Sequence, residues 1–341
     1  MSCNTLTLFF SFILLSLSLP SFAQLEMDTL FNSTHVQSFT QNTYQVRKLI
    51  VDKGKVVQFE AEKLLDKRTF VFDTLQQVVQ QIKYNPKTEK EVEEYLLSYT
   101  PQGQQKEIVQ IVNGGMLNKR ILFSYNNENK LVKKQTYILN DTLWQTINYQ
   151  YKDTLLVAEK TYNQANTLTY HRTITYDSCG NLILFTNRKT LVYVNKPYSY
   201  QQAFDANNRR ISKSFFDADN VLQTKWIYTY NKFGRLESEK QYNAEDVVLK
   251  ATYTTYDKKN RINETYLIDN ETKQKTKTVY SYNKTNQYKK IEIFINDNKE
   301  PNFEKFYYYD SSNNWIYWVE FDNQTNTVLL SERQIEYRKQ Q

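Results

Sequence analysis

Two histidines and two cysteines are all that this chain of 341 residues brings to nucleophilic or metal chemistry. Cys3 stands ahead of an apolar N-terminal run, which leaves His171 and Cys179 as the one nearby pair. In the hairpin pattern developed below, His171 falls in a strand and Cys179 in the turn beyond it, roughly 20 Å away by strand rise. That is too far for a nucleophile and its base, so both read as ordinary strand and turn residues. Asp217-Ala218-Asp219-Asn220 and Asn296-Asp297-Asn298 are rich in oxygen but lack the Gly and distant Glu of a calcium loop; they read as turns. Glu237 and Glu239 are expected on one strand face, as a solvated surface and not as a glycosidase pair. No Gly-rich phosphate loop and no Gly-x-Ser-x-Gly elbow occurs. The expectation is a protein that is not an enzyme, with no cofactor and no metal.

Aromatic residues are the richer resource: 4 Trp, 28 Tyr and 19 Phe. Trp226, Trp315, Tyr317 and Trp318, set among Lys and Arg, are the candidate ligand-binding residues, because exposed rings beside cations stack on sugars and attract anionic polymers. Packing within a sheet is the competing use of the same rings. Lys and Arg exceed Asp and Glu by 44 to 37, a net +7 spread along the chain. Nothing resembles a nucleic-acid arm, although the pI is near 9.0. The partners expected are a protein or a polysaccharide at the cell envelope, and not nucleic acid.

The elements that would position these rings are periodic. Aligning short motifs on a leading aromatic gives Phe72, Tyr99, Tyr125, Tyr151, Tyr176, Phe204, Tyr230, Tyr256, Tyr282, Tyr309 and Tyr337, spaced by 25 to 28 residues. Each interval accommodates two strands of about 8 or 9 residues and two turns. Trp226, Tyr228 and Tyr230 share a face by the period of two, Asn231-Lys232-Phe233-Gly234-Arg235 turns the chain, and Leu236 to Tyr242 runs back. Where copies lack Gly at the fourth turn position they carry Asn, as at Asn129, Asn260, Asn286 and Asn313. Asn tolerates the left-handed region best after Gly, which accounts for only 6 Gly in the chain. Thr88-Glu89-Lys90-Glu91 fits a helix capping box, yet Tyr95, Leu97 and Tyr99 alternate in phase with the other copies, so this stretch is expected to be a strand.

The fold class expected is all-β: tandem antiparallel hairpins of about 26 residues forming an extended or coiled repeat sheet. A closed, propeller-like arrangement is the alternative, since two units together approach the length of one kelch blade. Residues 1–23 read as a secretory signal. They carry no charge, have an apolar core from Leu6 to Leu19, and end in Ser21-Phe22-Ala23 before Gln24. That core is shorter than the roughly 20 residues a membrane helix needs, so no membrane span is expected after cleavage. Residues 24–43 are a lead-in and 44–341 the repeat domain. Export to the periplasm, cell surface or medium follows from the signal.

The motif at Tyr176-Asp177-Ser178-Cys179-Gly180-Asn181-Leu182 and at Tyr230-Asn231-Lys232-Phe233-Gly234-Arg235-Leu236 resembles the YD repeats of the Rhs family. The resemblance runs over residues 72–341 and is clearest in 123–320. It implies β-hairpin repeats in an exported or surface protein; long members of that family wind their strands into a hollow shell around a toxic cargo. This chain has no toxin tail after Tyr337 and no recognisable self-cleavage motif. The function expected of the chain is that of a non-enzymatic exported binding or structural scaffold. The alternatives are an envelope polysaccharide-binding module and a shell or accessory fragment of an Rhs-type toxin system.

Overall fold

The computed structural model describes residues 36–52, 55–112, 115–139, 141–189 and 198–338. The signal segment 1–23 lies outside the described residues, as does most of the 24–43 lead-in. The chain begins its sheet with two long strands, β1 (Val36–Asp52) and β2 (Lys55–Phe72). Shorter strands follow: β3 (Val78–Tyr84), β4 (Glu91–Tyr99), β5 (Gln105–Val112), β6 (Met116–Tyr125), β7 (Leu131–Ile138), β8 (Thr142–Lys152) and β9 (Leu155–Asn163). The middle of the chain adds β10 (Leu168–Tyr176), β11 (Leu182–Lys189), β12 (Tyr198–Phe204), β13 (Arg210–Phe216), β14 (Leu222–Tyr230), β15 (Leu236–Asn243) and β16 (Val248–Tyr256). Last come β17 (Ile262–Asp269), β18 (Gln274–Tyr282), β19 (Tyr288–Ile295), β20 (Phe303–Tyr309), β21 (Trp315–Asp322) and β22 (Thr327–Tyr337).

Every strand pairs antiparallel with its sequence neighbours, and β1 also pairs with β22, so the 22 strands close into one barrel. The closed sheet replaces the extended ribbon expected from the repeats, and it has no blades, so closure takes a different form from a propeller. The physical reason is that an open ribbon leaves two unpaired edges. Here Ser38 to Val46 of β1 find a register against Glu336 to Val328 of β22 and remove them. The seam is reinforced by Arg338, whose guanidinium donates to the Phe72 carbonyl at 2.7 Å. The segment 91–99 is a strand, in phase with its neighbours.

Twenty-two strands about 4.8 Å apart span about 106 Å across the strands, which at a barrel tilt of about 40° makes a ring about 22 Å in radius. Side chains from opposite walls of such a ring do not meet, and the apolar clusters are accordingly local. Phe39, Phe70, Phe72 and Val78 pack together with Leu97 and Ile335, all on adjoining strands around the seam. A second cluster, Ile174, Leu182 and Phe185, lies across β10 and β11 with Leu156 and Tyr200 beside it.

The alternation of each strand separates an inner and an outer wall. Ile121, Ile147, Glu159, Arg172, Ile174, Phe185 and Tyr228 are buried. They lie on one face through the ladder pairings, whereas Thr173, Thr175, Thr229, Tyr253 and Gln334 on the other face are exposed. The outer face carries Arg120, Lys133, Lys160, Lys225, Lys240 and Lys277 within its strands. A lipid-facing barrel wall needs an apolar band about 25 Å tall, and these cations interrupt any such band. Among the described residues no helix is long and apolar enough to cross a membrane.

Candidate functional site

All eleven leading aromatics end, or nearly end, an even-numbered strand, so they converge on one rim of the barrel. At the first ten of them the ladder slips by a residue, for example between Thr229 and Tyr230 opposite Leu236. At most of these rim turns the residue after the aromatic closes the turn. Asp177, Asp205, Asn231, Asp257, Asn283 and Asp310 each accept, through a side-chain oxygen, the backbone N–H groups two and four residues on. The fourth turn residue takes the left-handed region, with φ 80° at Gly180, 78° at Gly234, 61° at Asn260 and 66° at Asn286.

The bulge aims each tyrosine back over the preceding strand. Tyr230 donates its hydroxyl to the Arg210 carbonyl at 2.7 Å, Tyr256 to Leu236 at 2.8 Å, and Tyr282 to Ile262 at 2.8 Å. Tyr99, Tyr125, Tyr151, Tyr176 and Tyr309 repeat the bond to Val78, Gln105, Leu131, Leu156 and Tyr288. Phe204 has no hydroxyl, and there Gln202 Nε2 reaches the equivalent Leu182 carbonyl at 3.0 Å. Phe72 packs into the seam cluster, and Tyr337 instead donates to Asp310. Burial raises the phenols of Tyr99, Tyr125, Tyr151, Tyr176 and Tyr230, with Tyr282 pushed up to about 12. Cations from one turn lie over the next tyrosine ring, Arg209 at 4.8 Å from Tyr230, Arg235 at 5.4 Å from Tyr256 and Arg261 at 4.2 Å from Tyr282. The latch bond and the stacked cation are tertiary features that the motif spacing alone did not disclose.

The four candidate ligand-binding rings do not form one site. Trp226 meets Phe215 edge-on at 5.2 Å and ends a row of inward rings in which Phe185 stacks on Tyr200 at 4.7 Å and Tyr200 on Phe215 at 5.5 Å. Lys213 lies over Tyr200 and Phe215, at 4.8 and 4.5 Å. Trp318 is on β21, covered by the Lys305 ammonium at 3.8 Å, and Trp315 is covered by the Arg333 guanidinium at 3.4 Å. Tyr317 faces outward, in an apolar cluster with Val319 and Leu330. The register separates Tyr317 from Trp318 by alternation, and six strands, β15 to β20, lie between both and Trp226.

The Trp that sequence reading passed over is the open one. Trp144 is 56 % exposed and borders a cleft of about 570 Å³ with Gln145, Asn163, Gln164, Ala165 and Thr169. A tryptophan between two alternating runs carries no sign of its exposure; the slip in the ladder between Thr136 and Tyr137 puts Trp144 opposite no partner.

Glu159 and Arg172 form an ion pair of 2.9 Å on the inner wall, 1 % and 5 % exposed, with Arg172 4.7 Å from the Phe185 ring. Burial lowers the Lys134 ammonium on the same face. Glu237 and Glu239 are parted: Glu237 is the exposed bulge residue, while Glu239 faces Tyr228. The expected shared face fails because the bulge breaks the period of two. Asp217 caps its own turn, accepting from Asp219 and Val221, and Asp297 pairs with Lys275 at 2.9 Å. His171 is within β10, and Cys179 is an exposed turn residue. Among the described residues no three His, Cys, Asp or Glu side chains are grouped to hold a metal.

No family model matches the chain and no curated protein matches it. Solved structures do. One described as TcdB2-TccC3 is 11 % identical over 82 % of this chain with a TM-score of 0.30, and this chain spans 18 % of that one. A porin-like protein from Bacteroides uniformis is 9 % identical, with 88 % of this chain and 98 % of that one covered, at a TM-score of 0.32. A porin-like protein from Bacteroides vulgatus is 9 % identical over 90 % of this chain and 100 % of that one, at 0.25. At these TM-scores the likenesses are loose, and the barrel is defined by its own ladder.

Proposed function

We propose that this chain is an exported, non-enzymatic barrel of YD-like, Rhs-related hairpin repeats of about 26 residues, serving as a binding or structural scaffold at the envelope or outside the cell. One observation carries the reading. The wall is closed, and the inward rings of Phe185, Tyr200, Phe215, Trp315 and Trp318 are already covered by each other or by the wall's own cations. Rings so engaged brace a wall; they do not offer free π-faces to a sugar. The partner is then a protein. The test is co-sedimentation of the exported chain with peptidoglycan, lipopolysaccharide and outer-membrane fractions at low and high salt. The scaffold reading expects no salt-resistant pelleting with the two glycans, and Trp226→Ala and Trp318→Ala indistinguishable from wild type. Salt-resistant pelleting abolished by either substitution would overturn it. N-terminal sequencing of the exported chain should begin at Gln24.

The polysaccharide reading has one specific feature in its favour, the exposed Trp144 ring bordered by the amides of Gln145, Asn163 and Gln164. Loss of glycan pelleting in Trp144→Ala, but not in Trp226→Ala, would assign binding to that cleft.

A further inference from the structure

We infer that the outer edge of β1, from Lys48 to Asp52, is an interface that pairs with the same edge of a second copy of this chain. β1 is bonded to β22 only as far as Val46, and β2 meets β3 only from Arg68 onward. Beyond those points the two long strands form a ribbon, paired with each other from Val46 to Asp52 and from Lys55 to Ala61, and among the described residues no third strand pairs with its edges. One face of the ribbon is settled: Leu49, Val56 and Phe59 pack with Val319 and Leu330. The other is not: Ile50 is 40 % and the bulged Val57 63 % exposed, and even on the settled side Val51, opposite Val56, stays 42 % exposed.

An unpaired edge with exposed aliphatic residues is a template for strand addition, and the sequence decides which strand fits. Two copies related by a two-fold axis through Ile50 pair antiparallel, which sets Ile50 opposite Ile50 and Leu49 opposite Val51. The same register sets Lys48 opposite the second copy's Asp52, twice. Directly opposed residues share a face and interact, favourably for unlike charges and unfavourably for like ones. The open edge of β2 lacks this property: two-fold registers centred on residues 60, 61 or 62 bring Glu60 or Glu62 against glutamate, either its own copy or the other. The self-complementary edge is therefore that of β1, and the interface is isologous.

The experiment is a charge exchange read by sedimentation equilibrium of the whole chain. Wild type should associate reversibly to a dimer, and Lys48→Asp and Asp52→Lys should each weaken it by about 10-fold or more, since both charge pairs become repulsive. An equimolar mixture of the two variants should associate again, because each Asp then meets a Lys. Ile50→Lys should be monomeric with an unchanged circular dichroism spectrum. Recovery in the mixture separates an interface from damage to the ribbon, as damage in two chains is not repaired by mixing them. A wild type that stays monomeric to millimolar concentration, or a mixture no tighter than its parts, overturns the inference.

Discussion

The two rims of the barrel differ in how uniformly they are built and in whether a tyrosine latches them. At the rim of the leading aromatics, turn after turn has the same side-chain cap, the same left-handed fourth residue and a tyrosine bonded to the carbonyl of the strand before it. At the opposite rim some turns keep that cap and left-handed residue, as Asp217 with Asn220 and Asn243 with Asp246 do, but others differ in length and kind: Leu139 and Asp141 take positive φ in one, Asn296 and Asp297 in another, and Asn85 is followed by Pro86 in a third. No tyrosine latch recurs there among the described residues, and Met116, Leu139, Trp144, Val221 and Val247 are left exposed. Register needs fixing only once per hairpin. The latched rim fixes it, which frees the other rim to vary.

Substitutions should separate the rims. Tyr176→Ala removes a half-buried ring and its bond to Leu156, and should cost about 3 kcal/mol in urea unfolding. Val247→Ala, an exposed residue on the far rim, should stay within about 0.5 kcal/mol. Equal costs would abolish the distinction.

The next largest effect is the hydroxyl alone. Tyr176→Phe should lose about 1 kcal/mol. Gln202→Ala should lose a similar amount, about 1 kcal/mol, because Gln202 makes the bond where Phe204 cannot. A silent Gln202→Ala would mean that the latch is incidental at that position.

Gly234 is third. At φ 78° a Cβ is strained, and Gly234→Ala should cost about 1 kcal/mol, whereas Gly234→Asn should cost less, as at Asn260 and Asn286. Thermal midpoints of the two variants order them directly.

The smallest and broadest effect is alkaline. Tyr99, Tyr125, Tyr151, Tyr176 and Tyr230 are held above the usual 10, chiefly by burial, and Tyr282 up to about 12. A phenol whose folded value is raised contributes stability that is complete below pH 10 and is lost as pH climbs through the folded value. The urea midpoint should hold from pH 8 to 10 and fall between 10 and 12, while absorbance at 295 nm shows late ionisation. Tyrosines titrating at 10 with a constant midpoint would contradict the latch.

Much of this architecture was legible in residues. The spacing of Tyr176, Tyr230, Tyr256 and Tyr282, the Asp or Asn after each, and the Gly or Asn three residues later are local requirements of bulge and turn, and local requirements are written in sequence. The split of Glu237 from Glu239 was not, because a bulge is a relation between two strands. Nor was the dispersal of Trp226, Trp315, Tyr317 and Trp318, since a ring's neighbours lie across the ladder and not along the chain.

Sequence by itself therefore determined the strands, their turns and the rim to which the tyrosines belong, through periodicity and φ preferences that each residue carries alone. Tertiary structure alone decided that the ribbon closes, that β1 meets β22, and that the rings are covered by cations of adjoining strands. Those depend on accumulated twist and on which edge comes round to which, quantities summed over 22 strands and held by none of them singly.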